Sequence, residues 1–324
     1  ENSFHPPWFL RNGQIQTILA SSGFRAWGKN PALDAAREKI IETSEGVRLQ
    51  GYHSTHRQSD SRGLVILLHG WEGSGNSTYI ACTSKALYQR GYDIFRLNFR
   101  DHGSSHDLNQ GIFYAILLEE VFQAVQQISD NAAPKPAFLV GFSLGGNFGL
   151  RIARRMRDDP IGNIHQVVAI SPVLDPHKAT VRIDGQAMIR RYFLKKWFKS
   201  LQIKQDLFPD VWDFSEVFTL DSIMAVTDKM IEKHSDFQSA SEYFKMYTIL
   251  NDSIDDLPVP TAILTAADDP IIPVGDFYQL KLNGLTRMII HNHGGHNGFI
   301  DGYYFKSWYE QKLADWFDDR VQQD

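Results

Sequence analysis

Residues 137–146 read Ala137-Phe138-Leu139-Val140-Gly141-Phe142-Ser143-Leu144-Gly145-Gly146, and this stretch decides the fold. An apolar run of strand type enters Gly141-x-Ser143-x-Gly145, and a helical pattern at Leu150, Ile152, Ala153 and Met156 leaves it. A strand turning this sharply into a helix is the context of a nucleophile elbow. The serine backbone is strained in such a turn, and glycines two positions before and after it remove Cβ atoms that would clash. The hydroxyl is then expected at the carboxyl edge of a sheet, beside a helix N-terminus that favours developing negative charge.

Outward from this stretch, short β-type runs alternate with helical ones, the pattern of a mostly parallel sheet with helices on both faces. Lys39–Thr43 and Val47–His53 predict an antiparallel entry hairpin joined through Ser44-Glu45-Gly46. Gly63–His69 is a continuous apolar strand, Asn76–Arg90 a helix stopped by Gly91, and Tyr92–Asn98 the next strand. A long helix is expected over Ile112–Ser129 and a strand over Gln166–Ser171. After Ser171-Pro172 the chain becomes helical, aromatic and charged, with no convincing strand until Pro260–Ala266. A helix near Val274–Leu282, a strand over Thr286–His291 and an amphipathic helix over Tyr304–Val321 complete the chain. The expected organisation is a core over 1–172, a helical lid insertion over 173–257, and the rest of the core over 258–324.

The chain has 324 residues and is 43% apolar, ample for a large buried core. Its 33 basic and 38 acidic residues give a net charge of −5, so no basic field argues for nucleic acid as a partner. A single cysteine, Cys82, precludes an internal disulfide and suits a reducing compartment. No run approaches the roughly 20 apolar residues that span a bilayer. The stretch Glu-Asn-Ser-Phe-His-Pro-Pro-Trp at residues 1–8 lacks a basic-then-apolar leader pattern, and a cytoplasmic protein is the expectation.

A serine hydroxyl is a poor nucleophile unless a base, an orienting acid and an oxyanion site surround it. Thr261-Ala-Ile-Leu-Thr-Ala-Ala-Asp268-Asp269-Pro270 presents two carboxylates directly after a strand. Asp269, next to Pro270, is the preferred acid, and Asp268 reads as a turn-stabilising aspartate. His291-Asn-His293-Gly-Gly-His296-Asn-Gly298-Phe299 presents the base. His296 is preferred because its glycine neighbours allow close approach to the serine, whereas His291 ends a strand and His293 reads as a loop residue. The same three histidines could chelate zinc, but no acidic or cysteine ligand is interleaved and the serine turn would be unexplained, so neither metal nor cofactor is expected.

The oxyanion site should combine the N–H of Leu144 with that of Trp71, in the loop His69-Gly70-Trp71-Glu72-Gly73 after the early buried strand. His69 reads as a brace for that loop. In Asn98-Phe99-Arg100-Asp101-His102-Gly103-Ser104-Ser105, Arg100 and Asp101 read as ion-pair or turn residues, and His102 falls in the wrong chain order for the base.

These motifs together resemble the α/β-hydrolase superfamily. Pro7-Trp8-Phe9-Leu10-Arg11-Asn12-Gly13-Gln14-Ile15-Gln16-Thr17-Ile18 and Phe237-Gln238-Ser239-Ala240-Ser241-Glu242-Tyr243-Phe244 resemble its YheT-like branch, the "AB hydrolase 4" group. The resemblance spans nearly the whole chain. It implies an α/β-hydrolase fold, a serine esterase activity, relatives that act on acyl lipids, and Ser143, Asp269 and His296 as the triad. One departure stands out, because the branch usually carries N-F-R-G where this chain has Asn98-Phe99-Arg100-Asp101.

The function expected is cleavage of a small carboxylic ester through an acyl-enzyme. Acyl transfer, thioester cleavage, aminopeptidase action and non-catalytic ligand binding are the alternatives on the same scaffold. Residues 186–204 place Ile189, Phe193, Trp197 and Leu201 on one helical stripe, with Arg190, Arg191, Lys195 and Lys199 off it. This predicts a lid helix with a solvated basic face, the alternative being weak contact with an anionic membrane surface. An aromatic lid points to a pocket for an apolar acyl or alkyl group, with Trp71, Phe142, Phe193 and Trp197 as its candidate lining.

Overall fold

The computed structural model describes residues 4–56, 61–251 and 253–321. A short helix α1 (Gly13–Ala20) and a single turn α2 (Pro31–Asp34) precede the antiparallel hairpin β1 (Ala36–Glu42) and β2 (Arg48–Ser54). The alternating part then runs β3 (Leu64–Leu68), α3 (Thr78–Gln89), β4 (Asp93–Leu97), α4 (Leu118–Asp130), β5 (Ala137–Phe142), α5 (Leu144–Arg155) and β6 (Ile164–Ile170). Four helices follow: α6 (Pro176–Asp184), α7 (Ala187–Leu207), α8 (Ile223–His234) and α9 (Ala240–Lys245). The chain returns through β7 (Thr261–Ala266), the turn α10 (Val274–Phe277), β8 (Thr286–His291), the small pair β9 (Ile300–Asp301) and β10 (Lys306–Ser307), and α11 (Trp308–Val321).

The eight long strands form one sheet in the order β1-β2-β4-β3-β5-β6-β7-β8. Strands β3 to β8 pair in parallel, and β2 runs antiparallel to both its neighbours. The central parallel strands β3 and β5 carry no polar side chain because both sheet faces are covered there, and successive residues feed opposite cores. Leu64, Ile66 and Leu68 of β3 join Leu139 of β5 in the core under α4 and α5. Val65 and Leu67 join Phe138, Val140 and Phe142 under α3 and α11. Helices α6 to α9 share the first of these cores through Ile183, Leu201, Val226, Met230 and Phe244.

Local sequence sets the helix starts. Asp175 caps α6 by accepting the Lys178 N–H, with Pro176 in the first helical position. Ser239 caps α9 by accepting the Glu242 N–H, and the Glu242 carboxylate reaches back to accept the N–H of Gln238, just before the cap.

The helix expected from Ile112 begins six residues later, at Leu118. The intervening peptide groups are taken by distant side chains. The Phe113 N–H donates to Asp101 Oδ2 (2.9 Å), the Ala115 N–H donates to the Tyr243 hydroxyl (3.0 Å), and Arg151 donates to the Ala115 carbonyl (2.8 Å). The helix expected over Val274–Leu282 is only the turn Val274–Phe277. The helix expected from Tyr304 starts at Trp308, because Gly302 (φ 64°) and Phe305 (φ 52°) leave the helical region and shape the β9–β10 turn instead. Among the described residues, no helix is long and apolar enough to cross a membrane.

Phe317 of α11 is fully buried and stacks on Phe138 of β5, ring centroids 4.2 Å apart. Replacing it with alanine should cost about 3–5 kcal/mol of stability, measured by urea unfolding, by opening a cavity between α11 and the sheet.

Candidate active site

Ser143 sits in the turn between β5 and α5 at φ 54°, ψ −115°, a backbone conformation that L-residues rarely adopt. Two glycines make the turn feasible. A Cβ on Gly141 would lie 2.1 Å from the Gly145 carbonyl oxygen, and one on Gly145 would lie 2.4 Å from that of Leu68. The turn is pinned on both sides: the Ser143 N–H donates to the Ile170 carbonyl (2.9 Å), and the Ser143 carbonyl accepts the N–H groups of Asn147 and Val173.

His296 lies 153 positions later in the loop after β8, and its Nε2 is 2.8 Å from Ser143 Oγ. Its Nδ1 is 2.8 Å from Asp269 Oδ2. Asp269 is 2% exposed, and its other oxygen accepts the N–H groups of Ile271 (2.7 Å) and Ile272 (2.9 Å), so the carboxylate cannot swing away from the ring. Serine, imidazole and carboxylate thus form one line at the carboxyl ends of β5, β7 and β8.

The neighbouring candidates have other partners. Asp268 Oδ1 accepts the Gly295 N–H (2.8 Å) and stabilises the histidine loop. His293 Nδ1 faces Asp268 Oδ2 at 3.6 Å. His291 packs edge-on against Trp308, centroids 4.8 Å apart, and against Phe4. The three imidazoles therefore do not converge on a common point.

The loop after β3 carries Trp71 alongside the serine. Tyr79 accepts the Gly70 N–H (2.9 Å), and the Gly70 carbonyl accepts the Gly73 N–H (2.9 Å), which sets the loop's curvature. The Trp71 and Leu144 N–H groups donate no hydrogen bond among the described residues. His69 is fully buried: its Nδ1–H donates to the Gly70 carbonyl (2.8 Å), its Nε2 accepts the Phe99 N–H (3.2 Å), and burial pushes its pKa down to about 4. It is a neutral brace. His102 accepts the Glu72 N–H and donates to the Arg100 carbonyl, with its pKa held well below the usual histidine range by burial.

A cavity of about 690 Å³ opens from Ser143 and His296 beneath α6–α9. Trp71, Phe193 and Trp197 line it, the Trp71 ring stacked on Phe193 (5.3 Å, 11°) and edge-on to Trp197 (5.0 Å, 76°). Phe142, expected among them, is elsewhere. It is fully buried in the core under α3 and α11, packed on Tyr79 and Tyr309, because it shares strand parity with Phe138 and Val140 rather than with the pocket side.

Asp101, at the position that departs from the branch pattern, has φ 57°, which accounts for a glycine preference there. Its Oδ1 takes a hydrogen bond from Lys204 of α7 (2.8 Å), whose ammonium also donates to the His106 and Asn109 carbonyls. Arg100 pairs with Glu120. Lys204 was not legible as a partner, since a lone lysine ending a basic helix stretch reads as solvated. Thr17 was also missed; it accepts the His296 N–H from 279 positions away.

Comparison with known proteins identifies the family and the fold. The family described as "Serine aminopeptidase, S33" matches residues 59–284. The Escherichia coli protein named "Putative esterase YheT" is 22% identical over 269 residues, covering 80% of this chain and 77% of its own. Monoacylglycerol lipase ABHD2 of Homo sapiens is 27% identical over 321 residues, covering 90% and 73%. Among solved structures, 2,6-dihydroxy-pseudo-oxynicotine hydrolase superposes with a TM-score of 0.61 at 14% identity, covering 95% of this chain and 79% of that one, a likeness of fold. With the sheet order, the strained serine turn and a family match over most of its length, the chain belongs to the serine aminopeptidase S33 family of α/β-hydrolases.

Proposed function

We propose that the chain hydrolyses carboxylic esters through an acyl-enzyme on Ser143. The observation that carries this reading is the unbroken line of two 2.8 Å contacts from Ser143 through His296 to Asp269. His296 Nε2 takes the hydroxyl proton as Oγ attacks the ester carbonyl carbon, and Asp269 holds Nδ1–H so that Nε2 stays the acceptor. The Trp71 and Leu144 amides, with the N-terminal end of α5, stabilise the oxyanion. Collapse expels the alcohol, protonated by His296. Water then attacks the acyl carbon with its proton going to the same nitrogen, and the serine is regenerated. Relatives named as an esterase and a monoacylglycerol lipase support the ester as the bond cleaved. Helices α6–α9, residues 173–257 with their flanks, would act as the lid. Cys82, whose thiol burial pushes up to about 11, is inert and suits a reducing cytoplasm.

The cavity lining supports a substrate with one apolar and one polar half. Val173, Ile183, Ile223, Met230, Ile231 and Phe244 offer an apolar wall for an acyl chain. Toward the loops after β3 and β4 the lining turns polar, with Glu72 and Lys196. Lys196 donates to the Glu72 carbonyl (3.0 Å), and the Glu72 carboxyl makes no hydrogen bond among the described residues. Burial pushes that carboxyl up to about 8, against the opposing pull of the Lys196 ammonium. A carboxyl raised this far, with the Lys196 ammonium beside it, favours a neutral polar group of the substrate over an ammonium and weighs against the aminopeptidase alternative.

Ser143→Ala should abolish turnover of p-nitrophenyl esters and labelling by a fluorophosphonate while leaving the circular-dichroism spectrum unchanged; undiminished turnover overturns the reading. Across esters from acetate to octanoate, kcat/KM should rise by up to about fourfold per methylene until the apolar wall is filled. A profile that falls from acetate onward would contradict an acyl site there. Glu72 contributes stability that is complete below its ordinary carboxylate pKa and is lost as pH rises through about 8. Glu72→Gln should therefore raise Tm relative to wild type at pH 9 by more than at pH 6, read by thermal melts in matched ionic strength.

A further inference from the structure

The segment Pro7–Ile18 supplies no reacting group in the scheme outlined above, yet it packs directly on the loops that carry its acid and base. Asn12 caps α1 by accepting the Gln14 and Ile15 N–H groups. A Cβ on Gly13 would lie 2.0 Å from the Asp268 carbonyl oxygen, so α1 begins in contact with the acid loop. On the base loop, Gly295 has φ 54°, and a Cβ there would lie 2.2 Å from the Gly13 carbonyl oxygen. One on Gly298 would lie 2.7 Å from that of Gln16. Gly295 and Gly298 are thus required by close approach to α1, whereas Gly294 packs against Phe299 and Ala266, and Ser143 is not among the nearest neighbours of any of the three.

Two side chains of α1 complete the joint. Gln16 is fully buried; its Oε1 accepts the Ile300 N–H (2.7 Å), and its Nε2 donates to the carbonyls of Leu10 (2.7 Å) and Ile300 (3.1 Å). The Thr17 hydroxyl donates its only proton to the Gly13 carbonyl (2.6 Å) and accepts the His296 N–H (2.9 Å). A hydroxyl has one donor hydrogen, so the bond to Gly13 turns a lone pair toward His296 and fixes the direction of the second bond. The matched family range, 59–284, contains neither α1 nor His296.

We propose that α1 is a positioning element for the base, with Thr17 holding the His296 backbone and Gln16 holding the end of the same loop at Ile300, so that the His296 ring stays aligned between Asp269 and Ser143. This rests on the ester-hydrolase reading for its effect on rate, and on the geometry alone for its effect on the imidazole. Thr17→Val keeps the shape and removes the acceptor, leaving a buried N–H without a partner. Thr17→Ser keeps the acceptor.

The test compares wild type, Thr17→Val and Thr17→Ser by two readouts, with Tm recorded to confirm folding. The first is steady-state hydrolysis of a p-nitrophenyl ester. Thr17→Val should lower kcat about 10- to 100-fold, since misplacement of a catalytic group by about 1 Å costs on that order, with KM within twofold; Thr17→Ser should recover to within about threefold of wild type. The second is the low-field proton NMR resonance of the His296 ring N–H facing Asp269, which should broaden or shift in Thr17→Val and persist in Thr17→Ser. A folded Thr17→Val with unchanged kcat and unchanged resonance overturns the proposal, as does equal impairment of the serine variant. If the resonance responds as expected while Ser143→Ala still hydrolyses the ester, the role of α1 stands and the ester reading falls.

Discussion

Everything at this site depends on the closeness with which strand β5 passes into helix α5. Ser143 is held at φ 54° because the glycines two residues to either side allow one backbone to lie against another, with Gly145 seated on the Leu68 carbonyl at the end of β3. A backbone strained in this way costs on the order of 1–3 kcal/mol and persists only where its surroundings over-determine it. Here β5 is paired on both edges, to β3 and β6, and the Ser143 amide and carbonyl are each engaged. The same turn exposes Oγ, presents the Leu144 amide beside it, and aims the positive end of α5 at the space between them.

A rigid nucleophile is useful only if its partners are equally fixed. Asp269 has both oxygens engaged, one by His296 and the other by two backbone amides. His296 is gripped at its ring by Asp269 and Ser143 and at its backbone by Thr17. The loop after β3 hangs from the Tyr79 hydroxyl and the neutral His69 and His102 rings, whose low pKa values keep them hydrogen-bonding partners rather than cations next to the pocket. The helical segment over the cavity is tied down by the buried Lys204–Asp101 pair. Burial raises the Asp101 pKa to about 6 despite the lysine, so desolvation outweighs the attraction. Such a pair adds little net stability, because the cost of desolvating both charges offsets their attraction.

Much of this was legible in the chain. The serine turn declares itself locally because the strain, the glycines and the apolar strand are all neighbours in sequence. Asp269 and His296 follow because each sits in a loop after a strand readable by composition, and Pro270 and the Gly294-Gly295 pair mark where those loops bend. The sheet follows from apolar runs whose length suits burial on both faces. Residues 112–117 were harder, since their periodicity is helical while their peptide groups are claimed by Asp101, Tyr243 and Arg151.

By itself, then, the sequence determined the parallel sheet, the strained serine and the chain order of its partners, because each is encoded by spacing over a few residues. Tertiary structure alone decided that Phe142 faces the α3 and α11 core, that Lys204 reaches Asp101, and that Thr17 meets His296. Pairs 103 and 279 positions apart leave no local trace, since a threonine or a lysine has the same short-range signature whether it faces water or a distant loop. Only the closing of the sheet, driven by burial of its two apolar faces, brings those groups within reach of one another.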